Sequence, residues 1–170
     1  MTFSVSLCPV VKNSFVKVRR ATPANIPAML ALERHAATAA HWREDDYQRM
    51  FAAPEAATRI ALVIEEEQVV GFIVARALGE EWEIENVAVA GQARRRGLGT
   101  RLLGELLDLA RNSGARAVFL EVRESNLAAR ALYEKWAFVE SGRRKGYYRE
   151  PEEDALIYKF DFPQGISESR

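Results

Sequence analysis

Asn86-Val-Ala-Val-Ala-Gly-Gln-Ala-Arg-Arg-Arg-Gly-Leu-Gly-Thr100 is the stretch from which the fold can be worked out. An apolar strand ends near Val89, a short basic loop follows, and leucines at helical spacing begin at Leu98. The loop therefore lies at a helix N-terminus, where unpaired N–H groups and the helix dipole favour an anion. Gly97 and Gly99 lack the Cβ atoms that would keep a ligand away from those N–H groups. The stretch predicts a diphosphate site between a strand and a helix.

The spacing of this loop excludes two common phosphate-binding patterns. The Walker loop needs a lysine after its last glycine, and that lysine is missing here. The dinucleotide loop needs a third glycine, but Gly97-Leu-Gly99 is followed by Leu102 at that place. The remaining pattern, Arg94-x-x-Gly97-x-Gly99 after a strand, resembles the acetyl-CoA pyrophosphate loop of the GNAT N-acetyltransferases, Gln/Arg-x-x-Gly-x-Gly/Ala. A basic turn with a glycine-rich cap is the alternative that the loop alone leaves open.

Length, composition and charge restrict the class of protein. The chain has 170 residues, of which 48% are hydrophobic and 28% charged, which fits one globular domain. A net charge of +0 argues against a general nucleic-acid binder, and no apolar run reaches the roughly 20 residues of a membrane helix. The single cysteine, Cys8, excludes an intrachain disulfide framework, and residues 1–9 lack the features of a signal peptide. We therefore expect a cytoplasmic protein that binds neither membranes nor nucleic acids.

Hydrophobic periodicity predicts one domain over residues 15–162, between an irregular arm (1–14) and a polar tail (163–170). Strands are predicted at 15–20, 59–65, 68–77, 82–89, 117–122, 138–144 and 154–162, and helices at 22–37, 43–51, 98–113 and 126–136. Residues 147–153 are predicted to form a polar loop. The order β, α, α, β, β, β, α, β, α, β, β is similar to the GNAT fold, an α/β (α+β) arrangement of about seven strands in a mixed, twisted sheet with about four helices. The resemblance implies a cofactor cleft where the sheet splits, between strands 82–89 and 117–122.

The most specific segment is Leu120-Glu-Val-Arg-Glu-Ser-Asn126, followed by Ala131-Leu-Tyr-Glu134 and Phe138. It resembles the bacterial ribosomal-protein-alanine N-acetyltransferases of the RimI type, which show Leu-Glu-Val-Arg-x-Ser-Asn, Ala-Leu-Tyr-Glu and Gly-Phe at this spacing. The resemblance implies direct transfer from acetyl-CoA, with Glu121 as the general base and Tyr133 as the general acid.

The same resemblance implies a set of ligand contacts. Asn126 would contact the pantetheine or pyrophosphate region of acetyl-CoA, and residues 87–89 would offer backbone groups to its acetyl and pantetheine arms. Tyr147 and Tyr148 would flank the acceptor. The implied cofactor-binding residues are Val87, Ala88, Val89, Arg94, Arg95, Arg96, Gly97, Leu98, Gly99, Thr100 and Asn126.

The residue types fit the two catalytic roles. Glu121 is a carboxylate within an otherwise apolar strand, where partial burial suits a base. A phenol such as Tyr133 can protonate or stabilise a departing thiolate. The structural alternatives are a strand-end carboxylate paired with Arg123 or Arg19, and an amphipathic core tyrosine.

Glu83 lies on the preceding strand, at the position where histone-type members of the GNAT superfamily carry their base, so the resemblance implies a rival base there with a place in the acceptor channel. Period-two alternation puts Glu85 on the same side, and a solvated strand face is the preferred interpretation for Glu85. His35 and His41 have no partners at metal-ligand spacing, so no metal site is predicted.

The acceptor is the least determined part of the prediction. An α-amine has a pKa of about 7.7–8.0 and a lysine side chain about 10.4, so a carboxylate base suits the former better. The resemblance implies a protein N-terminus of the ribosomal protein S18 alanine type. A small-molecule amine, a lysine side chain and a non-catalytic CoA-binding module are the open alternatives.

Overall fold

The structure, a computed structural model of the chain, describes residues 15–36 and 40–163. The arm predicted at 1–14, including Cys8, and residues 164–170 of the predicted tail lie outside the described residues. No helix among the described residues is both long enough and apolar enough to cross a membrane.

One mixed sheet of seven strands has the order β1-β2-β3-β4-β5-β7-β6. Its strands are β1 (Lys17–Arg20), β2 (Arg59–Glu65), β3 (Val69–Leu78), β4 (Glu81–Val89), β5 (Ala117–Arg123), β6 (Val139–Arg149) and β7 (Glu152–Asp161). The α-helices of the described residues are α1 (Ile26–Arg34), α2 (Glu44–Phe51), α3 (Leu98–Asn112) and α4 (Leu127–Lys135). β4 and β5 pair in parallel, and the other neighbouring strands pair antiparallel. The predicted fold class and element order are confirmed.

β4 and β5 are paired over only part of their length. Their ladder begins at Glu81 with Ala117 and ends at Ile84 with Leu120. Beyond that pair, residues 86–89 of β4 stay paired with β3, and residues 121–123 of β5 stay paired with β7. The sheet therefore opens between the two strands, as predicted, and their free edges face the opening.

A β-bulge in β4 lies at the start of this opening. Neighbouring residues of β3 pair with Ile84 and with Asn86, so Glu85 is the extra residue of the bulge. Ile84 packs in the core on the α3 side of the sheet, whereas Ala88 packs in the core on the α1–α2 side. The bulge thus changes the phase of the alternation and directs Asn86 towards α1 and α2.

Apolar side chains build one core on each face of the sheet. On one face, an apolar stripe of α3 packs on the strands, as its 3.6-residue spacing predicts. Its buried members are Leu98, Leu102, Leu103, Leu106, Leu107 and Ala110. On the other face, Met29 of α1 and both Tyr47 and Met50 of α2 pack with Phe72 of β3. The two cores fix the helices on both sides of the opening.

The prediction of a polar loop at residues 147–153 is wrong. β6 continues to Arg149 and β7 begins at Glu152, so Tyr147 and Tyr148 lie in a strand. The β6–β7 ladder is irregular near Gly146, which has a φ of 57°, and resumes at Tyr148. β6 is an edge strand with mostly exposed side chains. Its sequence therefore lacks the alternation of apolar and polar residues by which a strand is predicted.

Candidate active site

The connection between β4 and α3 leaves the first turn of α3 open to an anion. Gly97, at the N-cap, has a φ of 79°, and among the described residues no side chain caps this helix. Its first turn also contains no acidic residue. By contrast, the Asn126 side chain caps α4 by accepting a hydrogen bond from the Ala129 N–H at 3.2 Å. The N–H groups of α3 remain available for an anion.

The three arginines of this loop differ in their contacts. The Arg94 Nε donates a hydrogen bond to the Val89 carbonyl at 3.1 Å, which closes the loop onto the end of β4. Arg96 pairs with Glu66 on the turn between β2 and β3, at 2.5 Å. Arg95 is exposed and has a φ of 56°, in the left-handed region. Two arginines therefore hold the loop in place, and Arg95 presents its charge to solvent.

The two loop glycines also differ. A Cβ built on Gly97 would meet no atom within 4 Å, so the space beside it is open. A Cβ built on Gly99 would lie 3.3 Å from the Leu132 Cδ2, so Gly99 allows α3 to pack closely on α4. The expectation that both glycines clear space for a ligand therefore fits Gly97, while Gly99 is explained by helix packing.

A cavity of about 420 Å³ lies where β4 and β5 separate. It is lined by Glu83, Glu85, Asn86 and Val87 of β4, Glu121 of β5, Asn126, Leu132 and Tyr133 of the α4 region, Tyr147 and Tyr148 of β6, and Ala40 and Trp42 before α2. The loop at 94–100 does not line this cavity but adjoins it through the contact of Gly99 with Leu132. The Ala88 and Leu98 side chains are buried in the cores, so these two residues could reach a ligand only through backbone groups.

Glu121 reaches the cavity from β5 and has an arginine partner. The Arg144 Nε of β6 lies 3.0 Å from the Glu121 Oε1, and the two side chains are 56% and 20% exposed respectively. Arg19 and Arg123, the partners considered from the sequence, pair with other carboxylates. Glu121 is thus a mostly buried carboxylate whose charge is balanced from the exposed side.

Tyr133 is a buried phenol on the α4 wall of the cavity. Burial, with a smaller effect of Tyr148, raises the pKa of Tyr133 to about 12, so its hydroxyl stays protonated at neutral pH. Its ring lies 5.7 Å from Phe138 and 6.4 Å from Tyr158, which fixes its orientation. Among the described residues, the Tyr133 hydroxyl forms no hydrogen bond. The hydroxyl is therefore able to donate to a ligand.

Glu83 and Glu85 reach the same cavity from β4. Burial, followed by the charges of Glu85 and Glu121, raises the pKa of Glu83. Glu85 forms an ion pair with Arg59 at 2.8 Å, with side chains that are 13% and 20% exposed. The interpretation of Glu85 as part of a solvated strand face is therefore wrong. Of the three carboxylates that line the cavity, Glu85 and Glu121 are paired with arginines, and Glu83 forms no ion pair among the described residues.

Tyr147 and Tyr148 form part of the rim. Their rings make an edge-to-face contact at 5.1 Å, and the Arg123 guanidinium lies 3.9 Å from the Tyr148 ring centre. Burial, followed by the charge of Glu121, raises the pKa of Tyr147. Burial also raises the pKa of Tyr148, so both hydroxyls stay protonated at neutral pH.

A buried polar cluster that was not predicted from the sequence lies behind this cavity. Glu33 of α1 is 2% exposed, and Asn86 of β4 is 4% exposed. Glu33 shares the buried face of α1 with Ile26 and Met29, and a carboxylate on an apolar face was the available signal. Within the described residues, no group of three or more His, Cys, Asp or Glu side chains is placed to hold a metal ion.

A second cavity of about 670 Å³ adjoins the first and shares Trp42 and Glu85 with it. Its lining is largely charged and includes Arg43, Asp46, Arg49, Glu55 and Arg59. A chain that extends out of the first cavity past Trp42 would therefore meet charges of both signs.

The model of the Acetyltransferase (GNAT) family matches residues 26–138, which run from the start of α1 through the loop, β5 and α4. The chain belongs to the GNAT acetyltransferase family. This GNAT chain is 39% identical to the [ribosomal protein bS18]-alanine N-acetyltransferase of Haemophilus influenzae over 89 residues, which cover 52% of this chain and 60% of the relative. The Escherichia coli K12 protein of the same name is 40% identical over 88 residues, 51% of this chain and 60% of the relative. The chain thus matches about three fifths of the length of these two relatives.

Solved structures extend the similarity to the whole GNAT fold. The ribosomal-protein-S18-alanine N-acetyltransferase from Escherichia coli has a TM-score of 0.80 and 25% identity, over 92% of this chain and 99% of that chain. A Salmonella typhimurium protein solved with its cofactor acetyl-CoA has a TM-score of 0.76 and 20% identity, over 92% of this chain and 99% of that chain. At 20% identity, the similarity to the Salmonella typhimurium protein shows the shared fold alone.

Proposed function

We propose that this GNAT protein is an N-acetyltransferase that transfers an acetyl group from acetyl-CoA to the N-terminal α-amine of a protein, with the alanine of ribosomal protein S18 as the acceptor type. One observation carries the proposal. Glu121 and Tyr133 line the same cavity, at the point where the sheet opens, and the uncapped start of α3 adjoins that cavity. The names of the relatives support the choice of acceptor.

Residues of the opening fit acetyl-CoA. The first turn of α3, the open space at Gly97 and the exposed Arg95 would hold the diphosphate. Residues 87–89 of β4, beyond the last pair with β5, would offer backbone groups to the pantetheine arm. Asn126, which lines the cavity, would lie along that arm. When bound, acetyl-CoA supplies the acetyl group as a thioester.

Two side chains would move the protons of the transfer. Glu121 takes the proton that the amine nitrogen loses as the new C–N bond forms. Tyr133, held protonated by burial, gives its proton to the sulfur as the C–S bond breaks. Each protonation change is matched to one bond that forms or breaks, and the products are an amide and a thiol. A bound amine and thioester held together need no covalent enzyme intermediate.

The charge of the cavity supports an amine acceptor. Glu83, which forms no ion pair among the described residues, would attract an ammonium group, and an α-ammonium needs little free energy to lose its proton near neutral pH. Trp42, Tyr147 and Tyr148 would flank the first residue of the acceptor. In this arrangement Glu83 assists as a secondary proton acceptor.

Mass spectrometry of two peptides incubated with acetyl-CoA tests the proposal. One peptide begins with a free alanine and contains no lysine, and the other has a blocked N-terminus and an internal lysine. We expect acetylation of the first peptide alone. Glu121→Gln should lower kcat by roughly 10²- to 10⁴-fold. The matched control is Glu124→Gln, because Glu124 is a nearby exposed carboxylate paired with Arg143.

The other outcomes separate the alternatives. Transfer to lysine would change the acceptor class. Full activity of Glu121→Gln, with loss in Glu83→Gln, would assign the base to Glu83. Binding of acetyl-CoA without transfer to either peptide or to a panel of small amines would identify a non-catalytic CoA-binding module.

A further inference from the structure

The buried carboxylate of Glu33 in α1 connects three segments of the chain behind the cavity. Both oxygens of Glu33 accept hydrogen bonds: Oε1 from the Trp42 N–H and from the Asn86 Nδ2, and Oε2 from the Tyr47 hydroxyl, each at 2.8 Å. These donors belong to the segment before α2, to β4 and to α2. A buried carboxylate is tolerated only when such donors satisfy it, so the cluster fastens Trp42 and Asn86 in fixed positions.

The same cluster fixes the orientation of the Asn86 side chain. Its Nδ2 has two hydrogens, and these point to Glu33 and to the Tyr47 hydroxyl oxygen, at 2.8 and 3.1 Å. Burial, followed by Glu33, raises the pKa of Tyr47, so its hydroxyl stays a donor at neutral pH. A flipped amide would place Oδ1 against a carboxylate oxygen, which is unfavourable. The Asn86 Oδ1 therefore points away from the cluster.

The Asn86 Oδ1 is buried and has no hydrogen-bond partner among the described residues. An unsatisfied buried acceptor costs about 1–3 kcal/mol, and native proteins keep few of them. Asn86 also lines the cavity that contains Glu83, Glu121 and Tyr133. The donor that this oxygen lacks can therefore be supplied by a molecule bound in the cavity.

We infer that Asn86 binds the acceptor amine through Oδ1, and that Glu33 and Tyr47 are the positioning residues that aim it. The inference rests on the proposed function. A neutral primary amine has one lone pair and two N–H bonds. With the lone pair directed at the thioester carbon and one N–H directed at the base, the second N–H donates to the Asn86 Oδ1. The site then selects primary amines.

Steady-state kinetics with the alanine peptide and separate acetyl-CoA binding test this inference. Asn86→Ala should raise the acceptor KM about tenfold, because one hydrogen bond in a buried site is lost. The dissociation constant of acetyl-CoA should stay within about twofold of the wild type. Tyr47→Phe, which keeps the ring packing on Trp42 and Phe72, should raise the acceptor KM by a smaller factor.

Tyr158→Phe is the matched control. It also deletes one hydroxyl from a buried tyrosine, but Tyr158 contacts Arg130 and Glu134 and does not line the cavity. It should leave the acceptor KM unchanged. Two results for Asn86→Ala would overturn the inference. One is an equal loss of affinity for acetyl-CoA and for the acceptor, and the other is an acceptor KM equal to that of the wild type.

A modified acceptor tests the same bond without relying on the folding of a variant. A peptide that begins with N-methylalanine keeps the lone pair but has one N–H fewer. The wild type should prefer alanine over N-methylalanine by at least about tenfold in kcat/KM, and Asn86→Ala should reduce this preference. Equal use of both peptides by the wild type would overturn the inference alone, whereas a wild type that acetylates neither peptide would remove the proposed function as well.

Discussion

The two sides of the cleft are built in different ways. The loop side, residues 87–100, presents backbone N–H groups at an uncapped helix and two residues with positive φ. The ion-pair side, which comprises Glu33, Arg59, Glu85, Asn86 and Glu121 with their partners, is built from charged and polar side chains that contact one another, and only the Asn86 Oδ1 of this set is left without a partner among the described residues. A backbone site suits a ligand that is the same for all family members. A side-chain site can change its ligand by substitution.

Tyr133→Phe should have the largest effect, because Tyr133 lies where the two sides meet. We expect kcat to fall by about 10²-fold, since the proposed proton donor is lost, while acetyl-CoA and the alanine peptide still bind. The ring contact with Phe138 is retained. Thiol release measured in single turnovers gives the rate. Unchanged kcat would show that the thiolate leaves without this proton and would remove Tyr133 from the mechanism.

Gly97→Ala should affect the loop side alone. An L-residue at a φ of 79° costs about 1–2 kcal/mol, and relief of that strain would reorient the N–H groups. We expect the dissociation constant of acetyl-CoA, measured by calorimetry, to rise roughly tenfold, with the acceptor KM unchanged at saturating acetyl-CoA. Gly91→Ala is the control, because a Cβ there meets no atom within 4 Å and φ is not positive. Equal affinities of the two variants would exclude this loop as the diphosphate site.

The loop side could be predicted from sequence because its determinants are local. One strand, one turn and one helix start follow each other between Asn86 and Thr100. The spacing of the glycines and arginines in this stretch predicts an anion site formed by backbone N–H groups. The α3 stripe and β2 were predictable for the same reason, because each is encoded by a continuous run of apolar residues, whereas the split of the sheet was predicted from the family resemblance.

The ion-pair side could not be predicted because its partners are distant in sequence. Asn86 is 53 residues from Glu33, and Arg59 is 26 residues from Glu85. The arginine that pairs with Glu121 comes from β6, an exposed edge strand whose C-terminal half carries no apolar alternation. The bulge at Glu85 also breaks the period-two rule without any glycine or proline to mark it.

Arg59→Gln should weaken the ion-pair side. It leaves the mostly buried Glu85 carboxylate unpaired beside Glu83, and we expect a loss of about 1–3 kcal/mol in the free energy of unfolding. Adding Glu85→Gln should restore part of the loss. Chemical denaturation of the four members of this mutant cycle measures the coupling. The exposed pair of Arg116 and Glu80 is the control and should show a coupling near zero. Purely additive losses at residues 59 and 85 would contradict the pairing.

Glu83→Gln should give the smallest effect, and its sign depends on pH. The pKa of Glu83 is raised by burial and by its acidic neighbours, so the folded protein keeps this proton at a pH where the unfolded chain has lost it. The stability that the protonated carboxyl contributes is present below its ordinary pKa of 4.5 and is lost as the pH rises through the raised value. An amide cannot ionise and avoids that loss. At neutral pH the variant should therefore be the more stable by about 0.5 kcal/mol, a small value because solvent screens the half-buried group, and the difference should vanish near pH 3.

Denaturation at the two pH values, with the exposed Glu81→Gln as the control, measures this difference. A variant that is less stable at neutral pH would show that the ionised Glu83 has a favourable partner in the folded protein, and Glu83 would then not be the unpaired carboxylate of the cavity.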